Sequence, residues 1–249
     1  QGTADQETFR QEIRQFIEAE WQPDGGSRAS DEDTEYGEQR HQATLAFQQA
    51  MAKKKWLTMA WPEEFGGLDD SFWQQMVLNE EMSYHRAPRT NMGINWVGPA
   101  IMLYGTDQQK EDHLTAIANA EDDSWWCTLY SEPGAGSDLA SLQTRAVEDG
   151  DDYVINGQKI WTSSAHHSDW GWLAARTDPD APKHKGVTMF MVDMKSAGVS
   201  TRPLINMADN HSFNEVFFED VRIPKSQVVG EVNRGWYHMA VALDFERSG

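Results

Sequence analysis

Trp125-Trp-Cys-Thr-Leu-Tyr-Ser-Glu-Pro-Gly-Ala-Gly-Ser-Asp138 is the stretch where the chain changes character. Residues 125–130 are aromatic, apolar and β-branched, the composition of a strand. They run straight into a loop holding Pro133, Gly134 and Gly136 between Ser131 and Ser137. The two glycines have no Cβ, so the backbone can turn sharply there and bring its N–H groups close to a ligand. With serine hydroxyls beside them, those amides can hold phosphate oxygens without a full positive charge. Read alone, the loop is equally well a tight connection between strands.

Upstream the periodicity is helical. Thr3 and Gln6 match a capping box, and Phe9, Ile13, Phe16 and Ile17 then share one helical face. Residues 22–37 are mostly Gly, Ser, Asp and Glu, a solvated acidic connection. A second helix is expected over about 38–55, after which Trp61-Pro-Glu-Glu-Phe-Gly-Gly67 breaks the pattern. Another follows with Phe72, Met76 and Val77 on its apolar side, and a further one runs over 96–104 and stops at Gly105. Thr106 and Gln109 form a second capping box, opening a helix that reaches about Ala120.

Downstream, 125–130, 143–147, 153–155, 170–175, 187–192 and 215–218 read as short strands, and Asn156-Gly157 carries the strongest hairpin signal. From Gly235 a helical face returns with Trp236, Met239, Ala240 and Leu243. The pattern predicts an α+β protein: an N-terminal helical domain (1–123), a central antiparallel β-barrel or sandwich (124–230), and the first helix of a C-terminal helical bundle (231–249). That last helix carries no stop signal and its apolar face has no partner in the sequence. A further helical region is therefore expected, following it or supplied by another chain.

The chain has 40 Asp and Glu against 21 Lys and Arg, a formal net charge of −19. Such a surface repels nucleic-acid backbone and anionic membrane, so neither is expected as a partner. Cys127 is the only cysteine, which rules out an internal disulfide and a Cys-based zinc site. The first residues lack the basic start and apolar stretch of a signal peptide, and no apolar run nears the ~20 residues of a membrane span. A soluble, cytoplasmic protein is expected. No metal site is expected either: His166 and His167, read as extended, would point to opposite faces, and Asp31-Glu32-Asp33 with Glu35 lacks the glycine and spacing of a calcium loop. Met189-Phe190-Met191 reads as buried strand.

Five segments now acquire a joint meaning: Trp61-Pro-Glu-Glu-Phe-Gly-Gly67, Tyr104-Gly-Thr-Asp-Gln-Gln-Lys110, Tyr130-Ser-Glu-Pro-Gly-Ala-Gly-Ser-Asp138, Ile155-Asn-Gly-Gln-Lys-Ile-Trp-Thr-Ser163 and Phe217-Phe-Glu-Asp-Val-Arg-Ile-Pro224. In this order and spacing they resemble the acyl-CoA dehydrogenases over nearly the whole chain. The resemblance implies FAD, held by Thr128, Tyr130, Ser131, Gly136 and Ser137 of the first loop and by Trp161, Thr162 and Ser163. Ser131 would lie near the flavin pyrimidine, Gly136 and Ser137 at the pyrophosphate, Trp161 beside the isoalloxazine and Ser163 at N5. A flavin needs an aromatic wall and a few aimed donors, which these residue types supply. The plainer readings are Trp161 as a core aromatic and Ser163 as a strand-end polar residue.

Desaturating an acyl thioester takes a carboxylate to remove the α-proton. In relatives resembling the isovaleryl, long-chain and steroid side-chain enzymes it stands on the first bundle helix, just before an arginine. Leu243-Asp-Phe-Glu-Arg247 puts Glu246 there, with the alternative that it is an ordinary solvent-facing carboxylate. Ser137, Asp244 and Arg247 match positions that contact the CoA portion. The implied partners are an acyl-CoA substrate, an electron-transfer flavoprotein and further subunits in a homo- or hetero-oligomer. Two other readings stand beside it: a non-catalytic subunit of a heteromeric dehydrogenase, and an acyl-CoA oxidase using oxygen.

Overall fold

The computed structural model describes residues 4–21, 35–69, 72–88 and 91–246. Helices come first: α1 (Ala4–Glu20), α2 (Glu35–Lys53), α3 (Phe72–Tyr84), a π-helical turn (Gly93–Val97) leading into α4 (Gly98–Tyr104), and α5 (Asp107–Asn119). The strands are β1 (Trp126–Leu129), β2 (Arg145–Asp149), β3 (Asp152–Ser163), β4 (Trp170–Arg176), β5 (Val187–Asp193), β6 (Val199–Ile205), β7 (His211–Pro224) and β8 (Val228–Val229). The chain returns to helix in α6 (Gly235–Glu246). Among the described residues, no helix is long and apolar enough to cross a membrane. The expected cap at Thr3 and the acidic stretch up to residue 34 lie outside the described residues.

The helical face read from α1 is the one that packs: Ile13 and Ile17 are buried, and Phe16 meets Phe47 of α2 and Trp56 in tilted and edge-on contacts. One charge sits at this seam. Glu81 of α3 is buried, and its carboxylate accepts from Arg10 at 2.5 Å and from Arg14 at 2.8 and 3.1 Å. The Arg14 hydrogen bonds, ahead of opposing burial, hold Glu81 below the ordinary carboxylate range. A depressed carboxylate stabilises the fold above its unfolded pKa of about 4.3, and that contribution disappears as pH falls through the folded value. Glu81→Leu is expected to cost about 2–3 kcal/mol. This lies below the roughly 3–5 kcal/mol of a broken, fully buried pair, because both arginines are partly solvated. It should also flatten the acid limb of a stability–pH curve from urea unfolding.

The second capping box forms as read. Thr106 Oγ1 accepts from the Gln109 backbone N–H, and Gln109 Oε1 accepts from that of Thr106. The Gln109 amide then donates to the carbonyls of Ser226 and Val228 at 2.7 and 2.8 Å, so the cap also ties α5 to β8. The helix expected over 96–104 begins earlier, as the π-helical turn. Gly98 is required there, since a Cβ would meet the Trp61 ring at 2.3 Å.

The sheet runs β6-β7-β3-β2-β4-β5-β8, with β1 parallel to β4 and the other neighbours antiparallel apart from a single β2–β4 contact. It is therefore mixed rather than wholly antiparallel. Trp126, Trp172, Ala174, Met189 and Met191 face the helical core, while Leu129, Leu173, Ala175, Phe190 and Val192 face Ile155, Val216 and Phe218 of the curled sheet. Both faces of β4 and β5 are covered, which is why these strands read as continuous apolar runs.

Three expectations need correction. Asn156-Gly157 is not a hairpin turn but lies inside β3, at a register shift against β7. Gly157 has φ +153, and a Cβ on it would strike Thr144 at 2.6 Å, so the glycine marks a close approach between strands. The real β2–β3 turn follows the Asp149–Asp152 pair, with Gly150 at φ +63. His166 and His167 lie on a 3-10 turn (Ala165–His167) with rings 4.0 Å apart, not on opposite faces of a strand. Among the α6 side chains described, Met239 is buried in the helical core with Trp236 packed against it, as the predicted face requires, but Ala240 is exposed and His238 is buried in its place.

Candidate functional site

β3 and the loop after β1 are drawn together by two contacts. The Ile160 N–H donates to the Ser131 carbonyl at 2.9 Å, and Lys159 Nζ donates to the Tyr130 carbonyl at 2.9 Å. The loop is closed by paired backbone bonds between Glu132 and Ala135, both 3.0 Å. Gly136 and Ser137 lie further along it, exposed. Neither Gly134 nor Gly136 adopts a left-handed φ, and a Cβ on either would meet no protein atom within 4 Å. The expected sharp turn is thus not why glycine stands there. The open space beside both positions fits a ligand lying against the backbone.

Opposite this loop, β3 bulges. Its pairing with β7 steps from Lys159↔Val216 to Thr162↔Asn214, leaving one residue in excess on β3. Trp161 occupies the bulge at φ +62 and is 60% exposed. It is not a core aromatic. A large indole presented to solvent from a strained backbone has no folding rationale, but it suits a flat ring ligand. Ser131, Ser163, Thr128 and Tyr130 are half-buried around the same segment. Thr162 departs from the expectation: strand alternation turns its side chain inward, to 2% exposure, so its hydroxyl does not join those of Ser131 and Ser163.

Two residues beneath the loop escaped the sequence reading. Lys159, with no exposed surface, pairs with Glu132 at 2.9 Å, and the Glu132 carboxylate also accepts from the backbone N–H groups of Gln143 and Thr144 at 2.6 and 2.8 Å. Lys159 shares the inward phase of Tyr153 and Ile155, a signal that was available. Trp96, on the π-helical turn, stacks on Tyr130 with centroids 6.3 Å apart. α6 packs against that same turn and against β5. The helix that carries Asp244 and Glu246 therefore packs on the same π-helical turn whose Trp96 stacks on Tyr130 at the start of the glycine loop. The backbone of α6 extends to Glu246, and Arg247 lies outside the described residues. A separate cleft of about 280 Å³, lined by His113, Trp126, Trp170 and Asp123, shares none of these residues.

Comparison with known proteins agrees in both halves. The sequence profile of the acyl-CoA dehydrogenase N-terminal domain matches residues 3–121, and that of the acyl-CoA dehydrogenase middle domain matches residues 127–221. Acyl-CoA dehydrogenase FadE26 of Mycobacterium tuberculosis is 40% identical over 98% of this chain and 61% of its own length. Two solved structures superpose closely. The Tcur3481-Tcur3483 steroid ACAD has TM-score 0.86 and 37% identity over 100% of this chain and 62% of that one. The ChsE4-ChsE5 complex from Mycobacterium tuberculosis has TM-score 0.85 and 36% identity over 98% and 61%. The chain thus spans about three fifths of the length of these relatives. With both profiles matched in order and the fold shared throughout, the chain belongs to the acyl-CoA dehydrogenase family.

Proposed function

We propose that this chain carries the flavin-binding part of a cytoplasmic, oligomeric FAD-dependent dehydrogenase. In this reading the enzyme desaturates an acyl-CoA thioester between its α and β carbons and hands electrons to an electron-transfer flavoprotein. The observation that supports it most is Trp161, held out of a strained bulge beside the Ser131–Ser137 loop. When bound, FAD supplies the two-electron acceptor that no amino-acid side chain provides. The chain's own residues do the rest. Trp161 walls the isoalloxazine, Ser131 and Ser163 offer hydroxyls, and Thr128 and Tyr130 shape the strand end. Gly136 and Ser137 leave room for the pyrophosphate, and Ser137 also borders the CoA ester. Glu246 removes the α-proton, while Asp244 and Arg247 contact the CoA portion. Resemblance to a steroid ACAD makes a steroid side-chain thioester the first acyl group to try.

A second reading is that this is the non-catalytic chain of a heteromer, favoured by solved relatives that are two-component complexes. The test is anaerobic titration of the natural full-length protein, reconstituted with FAD, against fatty and steroid side-chain acyl-CoAs. Bleaching of the flavin by one of them is expected. Bound FAD that no acyl-CoA bleaches, alone or with a co-expressed similar chain, sinks the reading. Bleaching that requires the second chain, yet survives Glu246→Gln in this one, assigns the non-catalytic role. Peroxide release during aerobic turnover identifies an oxidase.

A further inference from the structure

Trp161 has a Cβ, sits in the left-handed region and is 60% exposed, so its own packing does not hold it there. Ser164, three residues on, is also left-handed at φ 55. Upstream the segment is fixed by the Ile160–Ser131 backbone bond. Downstream, Ser168 Oγ donates to the Ser164 carbonyl at 2.9 Å, and a second side chain reaches the Thr162 carbonyl beside Trp161. Asn214 of β7, with no exposed surface, donates from Nδ2 to the Thr162 carbonyl at 3.1 Å. The same Nδ2 stands 3.0 Å from His166 Nδ1, and Asn214 Oδ1 stands 2.8 Å from His211 Nε2.

These contacts admit one proton arrangement. The Thr162 carbonyl can only accept, so the amide nitrogen must face it and the amide oxygen must face His211. His211 therefore carries its proton on Nε2, and His166 presents a bare Nδ1 to the second amide N–H. The two rings stack on each other with centroids 3.9 Å apart. His166 also meets His167 at 4.0 Å with the rings tilted by 48°, and His167 stacks on His41 of α2 at 4.2 Å, so the ring contacts reach from β7 into the helical domain.

We propose that Asn214 is a positioning residue: gripped between His166 and His211, it pins the Thr162 carbonyl and so holds the Trp161 bulge in the conformation that meets the ligand. This rests on the reading that Trp161 walls the flavin. The grip is proton-sensitive, because a proton on His166 Nδ1 would set N–H against N–H. Among the described residues, charged groups near the histidines include Glu38 of α2, 3.6 Å from His167, and Asp169, paired at 2.9 Å with Lys195. On β6 and β7, Arg202 and Glu215 pair with each other. Burial holds His41 below the ordinary imidazole range, against the pull of Glu38 and Asp169.

Three measurements test this. In wild type at neutral pH, nitrogen NMR should show His211 protonated at Nε2 and His166 unprotonated at Nδ1; a proton on His166 Nδ1 overturns the proposal whatever any variant does. Asn214→Leu should speed amide hydrogen exchange across 161–164 roughly tenfold, the loss expected of one buried hydrogen bond, with or without FAD. Exchange within twofold of wild type overturns it. In the FAD-loaded protein, release of flavin should accelerate as pH falls from 8 to 5 in wild type and lose that dependence in Asn214→Leu. Identical pH profiles in the two proteins overturn the proposal. If no FAD binds to wild type, the flavin reading has failed while the NMR and exchange results still decide the role of Asn214.

Discussion

Glu246→Gln in the full-length, FAD-loaded protein is expected to leave the flavin bound and to slow its anaerobic bleaching by acyl-CoA at least about a hundredfold, the lower end of what a positioned general base contributes. The amide keeps the shape of the side chain and removes only its ability to accept a proton. Any loss can therefore be assigned to that step, provided the flavin spectrum and melting temperature are unchanged. Glu246 stands at the end of α6, which packs on the π-helical turn whose Trp96 stacks over Tyr130. An apolar acyl group closing over a carboxylate removes water from it and raises its pKa. A base works only when ionised, so the wild-type bleaching rate should rise with pH through that raised value and then level. Stopped-flow reduction across pH reads both quantities. Reduction at the wild-type rate in Glu246→Gln would move the base to another residue.

Much of the fold was legible because its signals are local. The Thr106–Gln109 cap needs only two side chains at fixed spacing, and the inward face of α1 needs only its periodicity. The apolar stretch Met189-Phe190-Met191 of β5 could be read as buried strand without knowing what covers it. Failures came where the deciding contact is distant in sequence. Asn156-Gly157 has the composition of a turn, but Thr144 across the strand and Asp220 beside it decide its conformation. β6 was missed because its exposed polar residues carry no alternation, and only its pairing with β7 makes it a strand. The site divides in the same way. The glycine–serine loop and Trp161 could be named from motifs, whereas Asn214, Glu132 and the histidine stack are assembled from segments that no spacing rule connects.

Lys159→Met is expected to cost about 3–5 kcal/mol of stability and to weaken FAD binding with it. Lys159 and Glu132 are both buried, and removing one partner leaves the other charge without compensation. The consequence is local as well as global. Lys159 Nζ holds the Tyr130 carbonyl, and Glu132 holds the Gln143 and Thr144 amides, so the pair fixes both ends of the glycine loop against β3. Burial pushes the Lys159 ammonium down to about 8. Burial also works to raise Glu132, but the Lys159 charge and the Gln143 N–H outweigh it and hold that carboxylate low. The pair is thus charged at neutral pH. Above pH 8 the folded protein releases the Lys159 proton before the unfolded chain does, whose lysine titrates near 10.4. This group therefore favours folding more as pH rises through that window. The loop loses its ion pair over the same range, so FAD release should quicken above pH 8 while the melting temperature does not fall on this account. A double variant, Lys159→Met with Glu132→Leu, removes both charges and should recover only part of the stability lost by either single change, because the Tyr130 carbonyl and the Gln143 and Thr144 amides lose these partners. It should not recover flavin affinity, because the Tyr130, Gln143 and Thr144 backbone contacts remain broken. Thermal unfolding and flavin fluorescence on the four proteins of that cycle separate the two effects. Full recovery of FAD affinity in the double variant would show that the ion pair serves the fold and not the loop.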